Sequence, residues 1–170
     1  MIKYFGSAYQ FGTLGGVLGL IAFGVLAWLV PDPTNLNLIF GYVITPVSIF
    51  LALKFFKDYT NNGFLSFAEG MSVGFVTYMI IALISVIGIW AIFQVFPEFF
   101  ETVKASKLQV MESSRETIIS QVGEASFSNT QKSLLEMSPL DIALNDGIWK
   151  IVPGLFFTII ISIILRKNPN

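Results

Sequence analysis

The sequence contains no cysteine and no histidine. Without cysteine, the chain has no disulfide framework, no thiolate nucleophile and no zinc–thiolate cluster. Without histidine, it lacks the commonest general base and the commonest metal ligand of proteins. These absences exclude much of catalytic and metal chemistry. We therefore expect a protein that is not an enzyme, with no catalytic residue, no bound metal and no cofactor.

Charged residues are also scarce. They make up 12% of the 170 residues, whereas an ordinary soluble domain has about 25%. Hydrophobic residues make up 54%, and the mean hydropathy is +0.73. A soluble globular protein is therefore excluded. The net charge of −1 points to neither nucleic acid nor an anionic surface as a partner.

What the sequence does contain is four long apolar stretches. They cover residues 11–30, 36–53, 70–96 and 148–165. A helix needs roughly 20 apolar residues to cross ~30 Å of hydrocarbon, where the backbone must close its own hydrogen bonds. The sequence predicts an all-α integral membrane protein with four transmembrane helices in a single domain, residues 1–170. No acid, base or cation is evident at membrane depth, although membrane enzymes and proton-coupled carriers normally keep one there.

Lysine and arginine are distributed unevenly between these stretches. They occur in residues 1–10, 54–69 and 166–170, whereas residues 31–35 contain none. By the positive-inside rule, both termini and the 54–69 loop are cytoplasmic, and residues 97–147 are extracytoplasmic. The outer segment carries several lysines of its own but remains net acidic. The prediction is a multi-pass protein with both termini in the cytoplasm.

Glycines recur at four-residue spacing in the first and third stretches. The pairs are Gly12 with Gly16, Gly15 with Gly19, and Gly70 with Gly74. Glycine at positions i and i+4 removes side chains from one strip of a helix, so that two backbones can approach closely. The first and third helices are therefore predicted to present close-packing faces. The partner of such a face is either another helix of the same bundle or another subunit.

Several polar residues lie within or next to the apolar stretches and are candidates for lining a cavity. They are Thr45, Thr77, Tyr78, Gln94 and Thr158. Hydroxyl groups on membrane helices usually bond to a carbonyl of their own helix or to a neighbouring helix, so interhelical contacts are the simpler explanation. A carrier or channel would instead require Thr77, Tyr78 and Gln94 to face one continuous cavity.

The 54–69 loop carries two local signals. Asn62 and Gly63 tolerate positive φ and suit a tight turn, which favours a small hairpin at the level of the lipid headgroups. Ser66 and Glu69 form the S-x-x-E pattern of a capping box just before an apolar run. The capping box gives Glu69 a structural explanation in preference to a role as a functional acid.

The outer segment, residues 97–147, has helical patterns. Apolar residues recur at three- and four-residue intervals over 98–122, which predicts an amphipathic helix. A loop is expected over 123–129 and a second helix up to Met137. A further helix then starts with Ser138 as its cap, Pro139 at its first position and Asp141 in its first turn. This helix either ends before the fourth span or continues into it.

A family resemblance follows from the loop and the segments around it. The run from Lys57 to Gly74 contains Lys-Asp-Tyr, the Asn-Gly turn and Phe-Leu-Ser-Phe. It resembles the central loop of a family of small bacterial membrane proteins, the domain of unknown function four-one-nine-nine. The acidic stretch after the third span, the sequence at 137–139 and a last helix closing on Arg166 and Lys167 are similar too. The resemblance implies four spans in a bacterial inner membrane, and it implies no established activity or site residue.

Two kinds of function remain open. The favoured one is a non-catalytic accessory or assembly subunit, which packs against a membrane protein or a second copy through its glycine faces and amphipathic outer helix. The alternative is a small carrier, a channel or a protein that handles polyprenyl-linked lipids. A membrane enzyme would require Glu69 to face a cavity. The expected partners are membrane lipids with a membrane protein or a homo-oligomer, without nucleic acid or metal.

Overall fold

The computed structural model describes the backbone of residues 2–169 and the side chains of residues 4–169. Met1, Asn170 and the side chain of Lys3, which belong to the predicted cytoplasmic segments, lie outside the described residues. The described chain forms seven α-helices and one π-helical turn. They are α1 Ile2–Leu29, α2 Thr34–Phe55, the π-helical turn Phe56–Thr60, α3 Phe67–Val95, α4 Pro97–Ser113, α5 Arg115–Val122, α6 Glu124–Leu135 and α7 Pro139–Leu165.

Four of these helical segments are long and apolar enough to cross a membrane. They are Tyr4–Leu29, Thr34–Thr60, Phe67–Val95 and Pro139–Leu165. Only 33–39% of the residues in their most apolar windows are buried, so most apolar side chains point outward. Such a surface suits lipid, because hydrocarbon gives an exposed apolar side chain no reason to turn inward. The chain is an all-helical protein with four candidate membrane-spanning helices.

The four long helices form a closed ring of neighbours. Helix α1 packs against α2 and α3, and α7 packs against the same two helices from the other side. Helices α2 and α3 also touch across the ring. The two ends of this bundle differ. We call the end that carries α4, α5 and α6 the covered end, and the opposite end, where the α2–α3 loop meets the C-terminus, the terminal end.

The α2–α3 loop differs from the predicted hairpin. Helix α2 continues into the π-helical turn because this brings Phe56 into the core, where its ring lies 5.5 Å from that of Tyr4. The predicted turn is present, with φ of 53° at Asn62 and 81° at Gly63. The extended residue after it, Leu65, pairs with the C-terminal segment through two 2.9 Å backbone hydrogen bonds to Lys167.

The outer segment is more helical than the sequence suggested. The predicted amphipathic helix is broken at Ser114 into α4 and α5. The predicted loop over 123–129 is wrong, because one glycine makes the whole turn: Gly123 has φ of 82°, and α6 begins at the next residue. Helix α7 starts at Pro139 and runs without interruption to Leu165. The fourth long helix therefore begins well before residue 148, where the apolar run begins.

The core is divided between the two ends of the bundle. At the terminal end, Leu53, Phe56, Leu65 and Val73 are buried together. At the covered end, an aromatic cluster joins α1, α3 and α4. It consists of Phe23, Phe93, Phe99 and Phe100, with ring centroids 5.5 to 6.2 Å apart in the contacting pairs. This cluster fixes the first half of α4 to the bundle.

Candidate functional site

The predicted glycine faces lie mainly against other helices of the same chain. A Cβ atom on Gly12 would come within 2.9 Å of the Thr77 carbonyl oxygen, and one on Gly16 within 2.8 Å of Ile84. A Cβ atom on Gly15 would overlap the Ser48 hydroxyl. These glycines let α1 approach α2 and α3 at backbone distance. Packing within the bundle therefore accounts for this strip.

The second glycine strip joins α3 to α7. A Cβ atom on Gly70 would lie 2.6 Å from Ser162 Oγ, and one on Gly74 would lie 2.6 Å from Thr158 Oγ1. Gly19 differs from the other five predicted packing glycines, because a Cβ atom there would meet no neighbouring atom within 4 Å. The prediction that Gly19 packs against a helix is therefore wrong within this chain, since no facing helix comes that close.

The five predicted cavity-lining residues do not come together in one cavity. Thr45, Thr77, Tyr78 and Thr158 are buried, whereas Gln94 is exposed. Thr77 Oγ1 donates to the carbonyl of Val73 at 2.8 Å, and Thr158 is in close contact with Gly74. Most of these side chains are thus part of tight helix contacts. The continuous cavity expected for a carrier is not formed by this set.

The predicted capping residues lie at the starts of α3 and α7. The amide of Glu69 donates to Ser66 Oγ at 3.3 Å, and the Ser66 amide donates back to the Glu69 carboxylate at 2.9 Å. Ser138 and Asp141 make the same exchange at 3.4 and 2.8 Å. Both pairs are complete capping boxes. The Glu69 carboxylate therefore has a structural task at its own helix start.

A charged pair that the sequence did not reveal lies between the helices near the covered end. Asp146 is 4% exposed and Lys150 is 2% exposed, one turn apart on α7. Lys150 Nζ donates to Asp146 Oδ2. The same oxygen accepts from Ser85 Oγ of α3 at 2.7 Å, and Oδ1 accepts from Asn37 Nδ2 of α2 at 2.7 Å. One carboxylate thus connects three of the four long helices.

The pair lies within the length of a candidate membrane span. At 1.5 Å per residue, Lys150 is about 22 Å and Asp146 about 28 Å along α7 from Leu165, compared with ~30 Å for the hydrocarbon. The expectation that no ionisable group lies at membrane depth is therefore wrong. Lys150 lies inside the predicted span 148–165, whereas Asp146 lies just before it, in the part of α7 that the apolar run does not include. The i,i+4 spacing of aspartate and lysine was the signal that could have revealed the pair.

Small residues make room for the lysine. Lys150 passes Gly41 of α2, where a Cβ atom would lie 3.7 Å from both Cγ and Cε of the lysine. Side chains on a helix lean toward its N-terminus, so the ammonium group of Lys150 reaches back to Asp146. Gly147 brings the same turn of α7 close to Val86 of α3. Gly41 and Gly147 therefore allow α2 and α3 to approach α7 closely around the charged pair.

A cavity with both polar and apolar walls lies next to Asp146 at the covered end. Its volume is about 410 Å³, and we call it the vestibule. It is lined by residues of α2, α4, α6 and α7: Thr34, Asn35, Leu38, Lys107, Leu134, Met137, Asp141, Ile142, Asn145 and Asp146. Asp146 therefore belongs both to the buried network and to the wall of a cavity. No residue of this cavity except Asp141 was singled out as a site residue from the sequence.

A second ion pair joins α4 to the bundle at the edge of the vestibule. Lys107 Nζ donates to Asp32 Oδ2 at 2.9 Å and to Thr34 Oγ1 at 2.7 Å. The other oxygen of Asp32 accepts from the amide and the hydroxyl of Thr34 at 2.9 and 2.6 Å. Asp32 thus satisfies a free amide at the start of α2 while it neutralises Lys107. This contact holds the outer helices next to the α1–α2 connection.

The chemistry that these residues offer is polar binding. Within residues 2–169, no group of three or more histidine, cysteine, aspartate or glutamate side chains is arranged to hold a metal ion. The vestibule instead presents carboxylates, amides, a hydroxyl and one ammonium group next to an apolar patch. Ligand pockets combine apolar walls and a few polar groups in this way, with volumes of about 300–1,000 Å³. The arrangement is able to hold one small polar molecule.

Comparison with known proteins identifies the family of the chain. No curated protein and no solved structure matches the chain. A family model does match, over residues 10–167, and so it includes the four candidate spans almost completely. The match confirms the resemblance that the loop and the last helix indicated. The chain therefore belongs to the family described as Protein of unknown function (DUF4199).

Proposed function

We propose that this protein is a small membrane carrier that takes up a polar solute through the vestibule. This route differs from the one predicted from the sequence, because Thr77, Tyr78 and Gln94 do not face one continuous cavity. The observation that supports this function best is the buried pair of Asp146 and Lys150, because Asp146 also forms part of the vestibule wall. Ionisable side chains inside a membrane are expensive, and they usually mark the path of an ion or a solute. A carrier also needs a site at which helices can change their contacts, and this network connects three helices.

A purely structural role is a weaker explanation of the pair. Desolvation of two charges offsets much of their attraction, so a buried ion pair is weak evidence for stability. Asn37 and Ser85 could join the helices through neutral hydrogen bonds at a lower cost. Lys150 adds a charge that packing alone does not need. The retained charge supports a step in which the carboxylate changes its partner.

The proposed protein is not an enzyme. Glu69, the acid for which catalysis was considered, is engaged in the capping box of α3. The chain has no histidine or cysteine to act as a nucleophile or general base at neutral pH. The vestibule residues support binding rather than bond breaking.

We place the protein in a bacterial inner membrane with both termini in the cytoplasm and the covered end outside. The positive-inside rule supports this orientation, because Lys57, Arg166 and Lys167 lie at the terminal end. At the covered end, Lys107 is neutralised by Asp32, so it adds little to the positive charge there. The vestibule then opens to the extracytoplasmic side.

An accessory subunit remains the second candidate function. The glycine strips support it less than the sequence suggested, since five of the six glycines pack within the chain. The exposed apolar side chains Val110, Val122 and Leu135 on the outer helices favour it, with 63, 56 and 56% of their surface exposed. Purification of the tagged protein in mild detergent tests this candidate. A stoichiometric partner in the complex would support it, and a lone monomer would contradict it.

Single-cysteine labelling tests the carrier proposal. Because the chain has no cysteine, each variant reports on one position only. Leu134→Cys places a thiol in the wall of the vestibule, and Thr45→Cys places one on α2, two turns beyond Asn37 toward the terminal end. A membrane-impermeant maleimide should label Leu134→Cys from the covered side. It should label Thr45→Cys from the terminal side, because a carrier exposes its central site to both sides in turn.

Ile89→Cys is the matched control. Ile89 is as fully buried as Thr45, but it belongs to the part of the core around the aromatic cluster at the covered end. It should remain unlabelled from both sides. If Thr45→Cys is no more reactive than Ile89→Cys in either membrane orientation, the bundle does not open around the charged pair. The carrier proposal would then be wrong, and the pair would be a fixed link between helices.

A further inference from the structure

The vestibule has more negative than positive groups. Its lining contains two carboxylates, Asp141 and Asp146, and one ammonium group, Lys107. Two of these three charges are already paired: Asp146 with Lys150 and Lys107 with Asp32. Asp141 has no ion-pair partner among the residues that the structure describes. The remaining charge in the cavity is therefore negative.

Asp141 also keeps capacity for a ligand. Its Oδ2 atom accepts the capping hydrogen bonds from the amide and hydroxyl of Ser138, at 2.8 and 2.7 Å. A carboxylate has about four acceptor positions on its two oxygens, so the capping box does not exhaust it. Asp141 is exposed at the vestibule, where an incoming donor can reach it.

The buried network that Asp146 shares with the vestibule wall contains an acceptor without a partner. Asn37 is 1% exposed, and its Nδ2 atom is bound to Asp146. Its Oδ1 atom has no hydrogen-bond partner in the described part of the chain. A buried amide oxygen without a donor costs roughly 1–3 kcal/mol. A polar network with an unused acceptor beside its carboxylate favours a ligand that brings hydrogen-bond donors.

The neutral part of the lining sets the size and the shape of such a ligand. The amides of Asn35 and Asn145 each supply an acceptor oxygen and an NH₂ donor group, and Leu38 and Met137 contribute an apolar surface. The volume of about 410 Å³ is near the lower limit of ordinary ligand sites. A small organic molecule with a polar group and an alkyl portion fits this space.

These observations point to one class of ligand. A protonated amine presents three N–H donors and no acceptor, which matches carboxylate and amide oxygens. An anion would have to compete with Asp32 for the only ammonium group of the lining. We infer that the vestibule binds a small solute with a protonated primary amine, held by Asp141 and by the acceptors around Asp146. The inference adds a ligand class to the proposed carrier function and rests on that proposal only for transport. Binding of the amine does not depend on it.

Protection of a thiol against labelling tests the inference. The Leu134→Cys protein is reconstituted in vesicles of phosphatidylcholine, whose headgroup has no N–H donor. Ethanolamine is the probe, and ethylene glycol is its neutral counterpart of nearly equal size. Ethanolamine at saturation should slow the maleimide reaction at least fivefold, whereas ethylene glycol and acetate should leave the rate unchanged. Asp141→Asn should abolish most of the protection, because it removes the unpaired charge but keeps an acceptor for the Ser138 cap.

A free amine and a lipid headgroup offer the same chemistry, and the vesicles separate them. If phosphatidylethanolamine in the vesicles slows labelling without added ethanolamine, the amine comes from a lipid. If only soluble ethanolamine does so, the ligand is a free solute. Both results support amine binding. Equal protection by ethanolamine and ethylene glycol, or full protection in Asp141→Asn, would overturn it.

The two proposals fail in different ways. Labelling of Thr45→Cys from the terminal side without any protection by ethanolamine would leave the carrier function standing and remove the amine. Protection by ethanolamine while Thr45→Cys stays unreactive would leave an amine-binding site and remove transport. Lys132→Met serves as a second variant, because it removes a lysine of α6 that does not line the vestibule, and it should preserve protection by the amine.

Discussion

The two ends of the bundle hold the same helices together by different means. Toward the terminal end, α3 and α7 meet through small residues, with Gly70 against Ser162 and Gly74 against Thr158. Near the covered end, the same two helices meet through Ser85 and the carboxylate of Asp146. Both ends bury polar atoms. At the terminal end these are single hydroxyls in tight contact, and at the covered end they form a charged network.

The difference separates contacts that depend on shape from contacts that can exchange partners. Close contacts between glycine and a hydroxyl residue depend on shape, and any shift loses them together. A carboxylate with several donors can exchange one donor for another when a ligand or a proton arrives. The glycine contacts are therefore suited to hold α3 and α7 in register with each other. The covered end is suited to respond to what enters the vestibule.

Loss of the lysine in the charged pair should lower the free energy of unfolding the most. Lys150→Met leaves Asp146 buried without its counter-ion. Removing one partner of a buried ion pair typically costs about 3–5 kcal/mol. The free energy of unfolding, measured by titration with a denaturing detergent in mixed micelles, should fall by about this amount.

The matched control for this variant removes both charges. The double variant Asp146→Asn with Lys150→Met keeps hydrogen-bonding groups for Asn37 and Ser85 but has no buried charge. It should be clearly more stable than Lys150→Met alone. If the two variants were equally stable, the loss would come from the packing of the lysine stem against Gly41 and not from an unpaired charge.

A methyl group added at the contact between Gly74 and Thr158 should lower the free energy of unfolding by destabilising the terminal end. Gly74→Ala forces Thr158 away from α3, because the new Cβ would lie 2.6 Å from its Oγ1 atom. Overpacking of a tight contact typically costs about 1–3 kcal/mol, which exceeds the gain in helix propensity of roughly 1 kcal/mol. The same detergent titration measures the loss.

Gly19→Ala is the control, since it makes the same change on a membrane helix at a position with no facing atom. It should be neutral or slightly stabilising. A loss in Gly19→Ala equal to that in Gly74→Ala would mean that Gly19 meets a second molecule in the membrane. That result would move the interpretation toward the accessory subunit.

Removal of the cap at the start of α3 should lower the free energy of unfolding by a smaller amount. Ser66→Ala removes the acceptor for the amide of Glu69 and a donor to its carboxylate. Loss of a cap typically costs about 1 kcal/mol. Ser72→Ala, one and a half turns further along the same helix, is the control because its hydroxyl donates only to the carbonyl of Ala68 on an exposed surface. Equal stability of the two variants would contradict the importance of the cap.

The features that depend on local sequence could be predicted, and those that depend on contacts between helices could not. Four spans, the turn at Asn62 and Gly63, and the caps at Ser66 and Ser138 all follow from residues close in the chain. The start of α7 at Pro139 was predicted from the same cap, whereas the sequence left open whether that helix continues into the fourth span.

The charged network is an example of what remained hidden. Asp146 looked like one more acid of an outer segment, because nothing in the sequence shows that Asn37 and Ser85 converge on it. These residues lie 109 and 61 positions away from it along the chain. The vestibule was hidden for the same reason, since its wall comes from four helices. The glycine strips were visible as a pattern, but their partners were not.

The ion pair between α4 and the α1–α2 connection should have the smallest effect on global stability. Lys107→Met removes a contact whose side chains are 21 and 12% exposed. The contact joins an outer helix to the end of the bundle, so its loss acts on the outer helices and not on the contacts among the four long helices. Unfolding of the whole bundle should therefore change little. Hydrogen exchange in the second half of α4 and in α6 should become faster, because the aromatic cluster holds only the first half of α4.

The control distinguishes the loss of this contact from the loss of any lysine on the outer helices. Lys132→Met removes a more exposed lysine of α6, which lies 3.9 Å from Glu136 and contacts no long helix through that pair. It should leave the exchange rates of α4 unchanged. If Lys107→Met also leaves them unchanged, the outer helices are held over the vestibule by Phe100 and Val103 alone, and their position does not depend on charge. If exchange increases only in Lys107→Met, a single ion pair decides how firmly the vestibule is covered. The covered end would then differ from the terminal end in its mobility as well as in its chemistry.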